Sequence, residues 1–210
     1  MKETVALIHG LGRTPVSFVP MKQRFQRAGY GVMEPVYYPF RTNRATLARR
    51  LVGLLPRRGR VHLVGHSLGG ILSLTVMEML PVEQRGRIVQ LGSPNLGAPA
   101  AAKAEAMEAL FGDLILELAR KGPPPPAGVE LAAIAGNRSI SAFSWMNGLT
   151  EPNDGLVAVS SALAMAQPAN RMVLPVFHAL MMRDEAVIEA SLQFVQTGRL
   201  NSQPLLAAPA

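Results

Sequence analysis

The chain has 210 residues, 49% of them apolar and 17% charged, which excludes a disordered chain and allows one domain with a sizeable core. It has no cysteine, so disulfides and thiolate metal sites are excluded. Twenty-one Lys and Arg against 14 Asp and Glu leave a formal charge of +7, so part of the surface must be cationic.

In chain order, short runs that are apolar on both faces alternate with amphipathic ones. The short runs predict strands at Thr4–Ile8, Val32–Tyr37, Arg60–Val64, Arg87–Leu91, Glu130–Ala135 and Arg171–Pro175. Helices are expected at Val16–Ala28, Ala45–Leu55, Leu68–Met79, Ala101–Arg120 and Arg183–Gln196. This alternation predicts an α/β fold with a mainly parallel sheet flanked by helices. Met107, Leu110, Leu114 and Leu118 give the fourth helix an apolar stripe. Such a stripe suits either a helix covering the sheet or a small cap over a cleft. The proline run within Lys121–Gly128 ends that helix. Residues 1–200 therefore read as a single domain, with at most a small cap within 100–148, and 201–210 read as a flexible tail.

The opening "MKETVALIHG" has neither the apolar core nor the cleavage site of a signal peptide, and no run of about 20 apolar residues follows. A cytoplasmic location is the expectation, with a secreted mature form as the alternative. Arg41, Arg44, Arg49, Arg50, Arg57, Arg58 and Arg60 concentrate positive charge in one segment. They fit a solvated face or a peripheral contact with an anionic membrane surface. No aromatic residue interleaves with them as a base-stacking platform would need, so no nucleic-acid partner is expected.

The most informative stretch is "VHLVGHSLGGIL", Val61–Leu72. Gly65-His66-Ser67-Leu68-Gly69 is a G-x-S-x-G pattern lying between an expected strand and an expected helix. In that context the backbone turns sharply and the serine hydroxyl stands clear at the start of a helix, whose dipole favours negative charge. A serine hydroxyl becomes nucleophilic only beside a base, and the base needs an orienting carboxylate. Of the four histidines, His62 lies within a strand, His66 adjoins the serine on a turn that should aim it elsewhere, and His9 belongs to another loop. His178 follows the last expected strand and can reach the sheet's carboxyl edge. Asp154, in the turn Asn153-Asp154-Gly155, is the preferred acid. Glu151 is its nearest rival, Asp113 falls within a helix, and Asp184 suits a helix cap. The order Ser67, Asp154, His178 is the one expected after such an elbow. In "HGLG", Gly10 and Gly12 allow a tight loop presenting the amide of Leu11. With the amide of Leu68 it forms a candidate oxyanion hole.

These motifs, together with "GSPNLGAP" at Gly92–Pro99 and "NDGLV" at Asn153–Val157, resemble the α/β-hydrolase superfamily, and within it the bacterial triacylglycerol lipase and esterase group. The resemblance spans nearly the whole chain. It implies a near-minimal α/β-hydrolase fold of about six mainly parallel strands, and Ser67 as nucleophile, His178 as base and Asp154 as its orienting acid. It implies oxyanion donors at Leu11 and Leu68, and neither metal nor organic cofactor. The activity implied is hydrolysis of a small-molecule or lipid ester, with short to medium acyl chains as the first expectation. A true lipase and an acyltransferase are the alternatives. A non-catalytic scaffold would usually have lost one of the parts. Leu11, Leu68, Met146, Met181 and Met182 are candidates for an acyl pocket or for core.

Overall fold

A computed structural model describes residues 2–98 and 110–200. Six strands form one sheet: β1 (Thr4–Ile8), β2 (Gly31–Met33), β3 (Val61–His66), β4 (Arg85–Leu91), β5 (Leu131–Gly136) and β6 (Arg171–Leu174). Their order is β2-β1-β3-β4-β5-β6, and every neighbouring pair is parallel. The helices are α1 (Val19–Arg27), α2 (Arg44–Leu54), α3 (Leu68–Met79), α4 (Asp113–Leu118), α5 (Ser141–Met146), α6 (Val159–Leu163) and α7 (Glu185–Thr197).

Strand alternation divides the core between the two faces of the sheet. Ala6, Ile8, Leu63, Ile88 and Ala133 pack with α2, α3 and the 110–118 segment on one face. Val5, Leu7, Val64, Val89 and Ile134 pack with α1 and α7 on the other. Both faces are covered, which is why these strands read as unbroken apolar runs.

Several boundaries differ from expectation. The second strand stops at Met33 rather than Tyr37, because beyond Pro35 the chain stays extended but leaves β1. The helix expected from Val16 starts as a 3₁₀ turn, Pro15–Phe18, and α1 proper begins with Pro20 in its first turn. The fourth helix is interrupted at Gly112, whose φ is +65°. The first part of that prediction, including Met107, lies outside the described residues, as does the 201–210 tail. The last helix begins two residues late, at Glu185, because Asp184 caps it by accepting from the Val187 N–H at 3.1 Å. Gly198, left-handed at φ +74°, closes it.

The arginine segment does not form one patch. Arg41 and Arg44 lie near the carboxyl edge of the sheet, α2 runs back across it, and Arg57, Arg58 and Arg60 precede β3 at the amino edge. No described helix is long and apolar enough to cross a membrane.

Candidate active site

At the end of β3, Ser67 sits between strand and helix with φ +54° and ψ −120°. It and Arg41 are the two described non-glycine residues with positive φ, a conformation that costs about 1–3 kcal/mol and persists only where surroundings impose it. Here the surroundings are backbone. A Cβ on Gly69 would fall 2.0 Å from the Ile8 carbonyl oxygen and 2.7 Å from that of His9, so α3 enters in direct contact with β1. The Ser67 N–H donates to the Leu91 carbonyl at 2.9 Å, and the Ser73 hydroxyl donates to the Gly69 carbonyl at 2.8 Å. Behind the elbow, the Gln90 amide donates to the Gly70 carbonyl at 2.9 Å. The Asn95 amide in turn donates to Gln90 and to the Ala162 carbonyl, both at 2.9 Å. Asn95 of the "GSPNLG" motif therefore braces the elbow through Gln90, a residue the sequence did not single out.

Asp154 and His178 meet on the same edge, from the loops after β5 and β6. The His178 Nδ1–H donates to Asp154 Oδ2 at 2.7 Å, with both residues buried. The His178 main-chain N–H donates to the Asp154 carbonyl at 3.0 Å. The other carboxylate oxygen accepts from the N–H groups of Leu156 at 3.0 Å and Val157 at 2.8 Å. A carboxylate fixed from both sides leaves the imidazole one orientation, with Nε2 carrying its lone pair. Gly92 (φ +54°) lies under the pair: a Cβ there would stand 2.8 Å from Asp154 Oδ2 and 3.1 Å from His178 Nδ1. The rival Glu151 is exposed and lends only its carbonyl, to the Asn153 amide at 2.7 Å.

The "HGLG" loop reaches the elbow from β1, and a Cβ on Gly10 would be 3.0 Å from the Ser67 Cβ. The Arg13 N–H closes a turn onto the Gly10 carbonyl at 3.3 Å, and the amide of Leu11 takes no part in that bond. Leu68, the first residue of α3, carries one of the N–H groups a helix leaves without an internal acceptor. The loop is clamped from outside by Tyr37. Its hydroxyl donates to the His9 carbonyl, and its ring stacks on the His9 imidazole at 4.2 Å and 10°. Burial pushes the Tyr37 phenol far up, so it remains a donor.

His66 departs from expectation. Its ring does not turn away from the site: it lies 4.6 Å from the His178 ring, and its Nε2–H donates to the His178 carbonyl at 2.9 Å. Burial is the main cause holding its imidazole well below the usual range, so it is neutral. His62 is structural, as read: Nε2–H donates to Glu3 at 3.1 Å while Nδ1 accepts the Arg87 N–H at 3.1 Å. Of the pocket candidates, Leu68, Met181 and Met182 are core, Leu11 is half-buried, and Met146 is exposed. Among the described residues no cluster of His, Asp and Glu could hold a metal ion.

A family model described as the alpha/beta hydrolase family matches residues 5–204. The chain belongs to that family. No curated protein matches it. Among solved structures, the mature form of a Bacillus licheniformis lipase, BlEst2, superposes with a TM-score of 0.69 at 17% identity, covering 92% of each chain. The metagenomic carboxyl esterase MGS0156 gives 0.63 at 17% identity, over 83% of this chain and 64% of that one. The pyrethroid hydrolase PytH gives 0.59 at 14% identity, over 94% and 99%. At such identities the likeness carries the fold. The compact six-stranded hydrolase architecture read from the sequence is thus the observed one.

Proposed function

We propose that this α/β-hydrolase is a serine esterase that cleaves carboxylic esters of short to medium acyl chains through an acyl-enzyme. The single observation that carries the reading is the buried 2.7 Å bond from His178 to Asp154, on the sheet edge where Ser67 is held at positive φ. In this reading Ser67 Oγ attacks the ester carbonyl carbon and its proton passes to His178 Nε2. Asp154 stabilises the imidazolium that results. The amides of Leu11 and Leu68 hold the oxyanion, each worth about 3 kcal/mol in comparable sites. Collapse of the tetrahedral adduct returns the proton to the leaving alcohol. Water, deprotonated by His178, then attacks the acyl-enzyme; its proton returns to Ser67 as the carboxylic acid leaves. No cofactor enters any step.

The test is hydrolysis of chromogenic esters graded from acetyl to palmitoyl, with wild type beside Ser67→Ala. The expected result is a maximum on short or medium chains and a fall in kcat of at least about a thousandfold in the variant. Turnover that survives Ser67→Ala overturns the assignment, and a maximum on palmitoyl esters makes the enzyme a lipase.

A further inference from the structure

Exposed apolar side chains gather at one end of the sheet. Because all strands are parallel, the loops that follow them meet at the carboxyl edge, which carries Ser67, Asp154 and His178. Val16, Tyr38, Ile140 and Met146 lie on three segments of that edge and are each more than 60% exposed; Val82, at the opposite edge, is the other described apolar residue so exposed. A soluble surface carries scattered apolar residues, but a concentration around one site marks an interaction face.

The 35–40 run is the clearest case. It stays extended after β2, and burial alternates along it. Pro35, Tyr37 and Pro39 face inward, while Val36, Tyr38 and Phe40 face solvent. An extended segment at a surface should be polar on its outer row; this one is apolar on both. The row is also braced rather than slack. Phe40 stacks on Phe111 at 5.4 Å, and the Arg41 N–H donates to the Leu110 carbonyl at 3.1 Å. Leu110 is itself half exposed and extends the row.

Cations share the edge. Arg41, Arg120, Lys121, Arg138 and Arg183 are exposed there, and none forms an ion pair among the described residues. Asp113, Glu151 and Glu185 are the exposed carboxylates on or beside the same described loops, fewer than the five cations. A second copy docked face to face would oppose this positive surface to itself, which costs energy. An anionic lipid surface complements it. Aromatic rings settle at the headgroup level and guanidinium heads reach phosphates from there.

We propose that the carboxyl edge docks on an anionic lipid–water interface, with Val36, Tyr38, Phe40 and Leu110 entering the headgroup boundary and Arg41, Arg138 and Arg183 at phosphate depth. Docked this way, the enzyme draws its ester from the lipid phase; that last step alone rests on the hydrolase reading above.

Cosedimentation of Ser67→Ala protein with vesicles tests the surface without consuming lipid. The probes are phosphatidylcholine alone and equal parts phosphatidylcholine and phosphatidylglycerol. Binding to the mixed vesicles and little to the neutral ones is expected. Tyr38→Ser/Phe40→Ser should lower partitioning by about tenfold. Arg41→Gln/Arg138→Gln/Arg183→Gln should lower it by about a hundredfold at low salt, a difference that shrinks as salt rises. Made in the Ser67 background, both sets should keep turnover of a soluble butyrate ester within about twofold. Ile140→Ser, outside the Phe40–Phe111 stack, gives a smaller loss with no risk to that packing. Equal partitioning of wild type and variants, or a self-association removed by Tyr38→Ser/Phe40→Ser, overturns the proposal. Soluble-ester turnover without vesicle binding sinks the surface and spares the esterase. Vesicle binding without Ser67-dependent turnover does the reverse.

Discussion

The elbow and the 36–41 run leave the same edge of the sheet and each contains a non-glycine residue at positive φ, yet their surroundings are opposite. Around Ser67 there is no room for a methyl group at Gly69, and buried donors fix each neighbouring carbonyl. Around Arg41 the backbone is held by bonds to 110–111 while the side chains stand in solvent. Over-determination holds the Ser67 backbone in one geometry. Exposure at the rim, on a braced backbone, leaves apolar surface available to something outside the chain.

Changes at the elbow and its partners should therefore be severe, and changes at the rim mild in solution. The largest effect is expected from Asp154→Asn. It leaves the fold intact but favours the wrong imidazole tautomer, and kcat should fall by about ten-thousandfold, read by steady-state hydrolysis of a soluble ester. Gly69→Ala should follow, because its Cβ would enter the Ile8 carbonyl at 2.0 Å. We expect a loss of about 3 kcal/mol or more in urea unfolding, and a native-like midpoint would break the close-contact account of the elbow.

His66 sharpens the comparison because its one hydrogen bond to the site goes to the His178 carbonyl, while its ring packs beside the His178 imidazole. His66→Phe removes the buried side-chain donor to the His178 carbonyl, at a cost of about 1 kcal/mol. It should lower kcat while leaving KM unchanged. His66→Gln, which restores a donor, should recover much of the rate; equal losses in both variants would make His66 mere packing.

The pH dependence of stability comes next. Burial lowers the imidazole pKa of His9, His62 and His66 in the folded state. The unfolded chain then binds more protons, so stability is full above the unfolded value of about 6.5 and falls as pH drops below it. Each histidine contributes a slope of at most about 1.4 kcal/mol per pH unit until its folded pKa is reached. Urea midpoints that stay level from about pH 7.5 to about pH 5 would contradict this. The smallest effect belongs to the rim. Tyr38→Ser should change stability by less than about 0.5 kcal/mol in the same titration.

Much of the molecule was legible in one dimension. Five of the six strands fall within two residues of their predicted bounds at each end, and α3 matches at both ends. Periodicity and glycine placement are local signals, and the core they describe is two-sided. The grouping of Asp154 with His178 was readable because each follows a strand, and in a parallel sheet such loops share an edge. What failed was also local. Proline restricts φ and removes a donor, but the sequence does not show that the chain beyond Pro35 remains extended without a partner strand.

The sequence by itself determined the alternation of strands and helices, the strained serine between glycines, and the residue types that could serve it. Tertiary structure alone decided that His66 holds the His178 backbone, that Gln90 and Asn95 brace the elbow, and that Tyr37 clamps the His9 loop. It also parted the arginine segment between the two edges of the sheet. The reason is range. A turn or an amphipathic face is set by residues within a few positions. A hydrogen bond between His66 and His178 spans 112 residues and exists only after the sheet has brought their loops together.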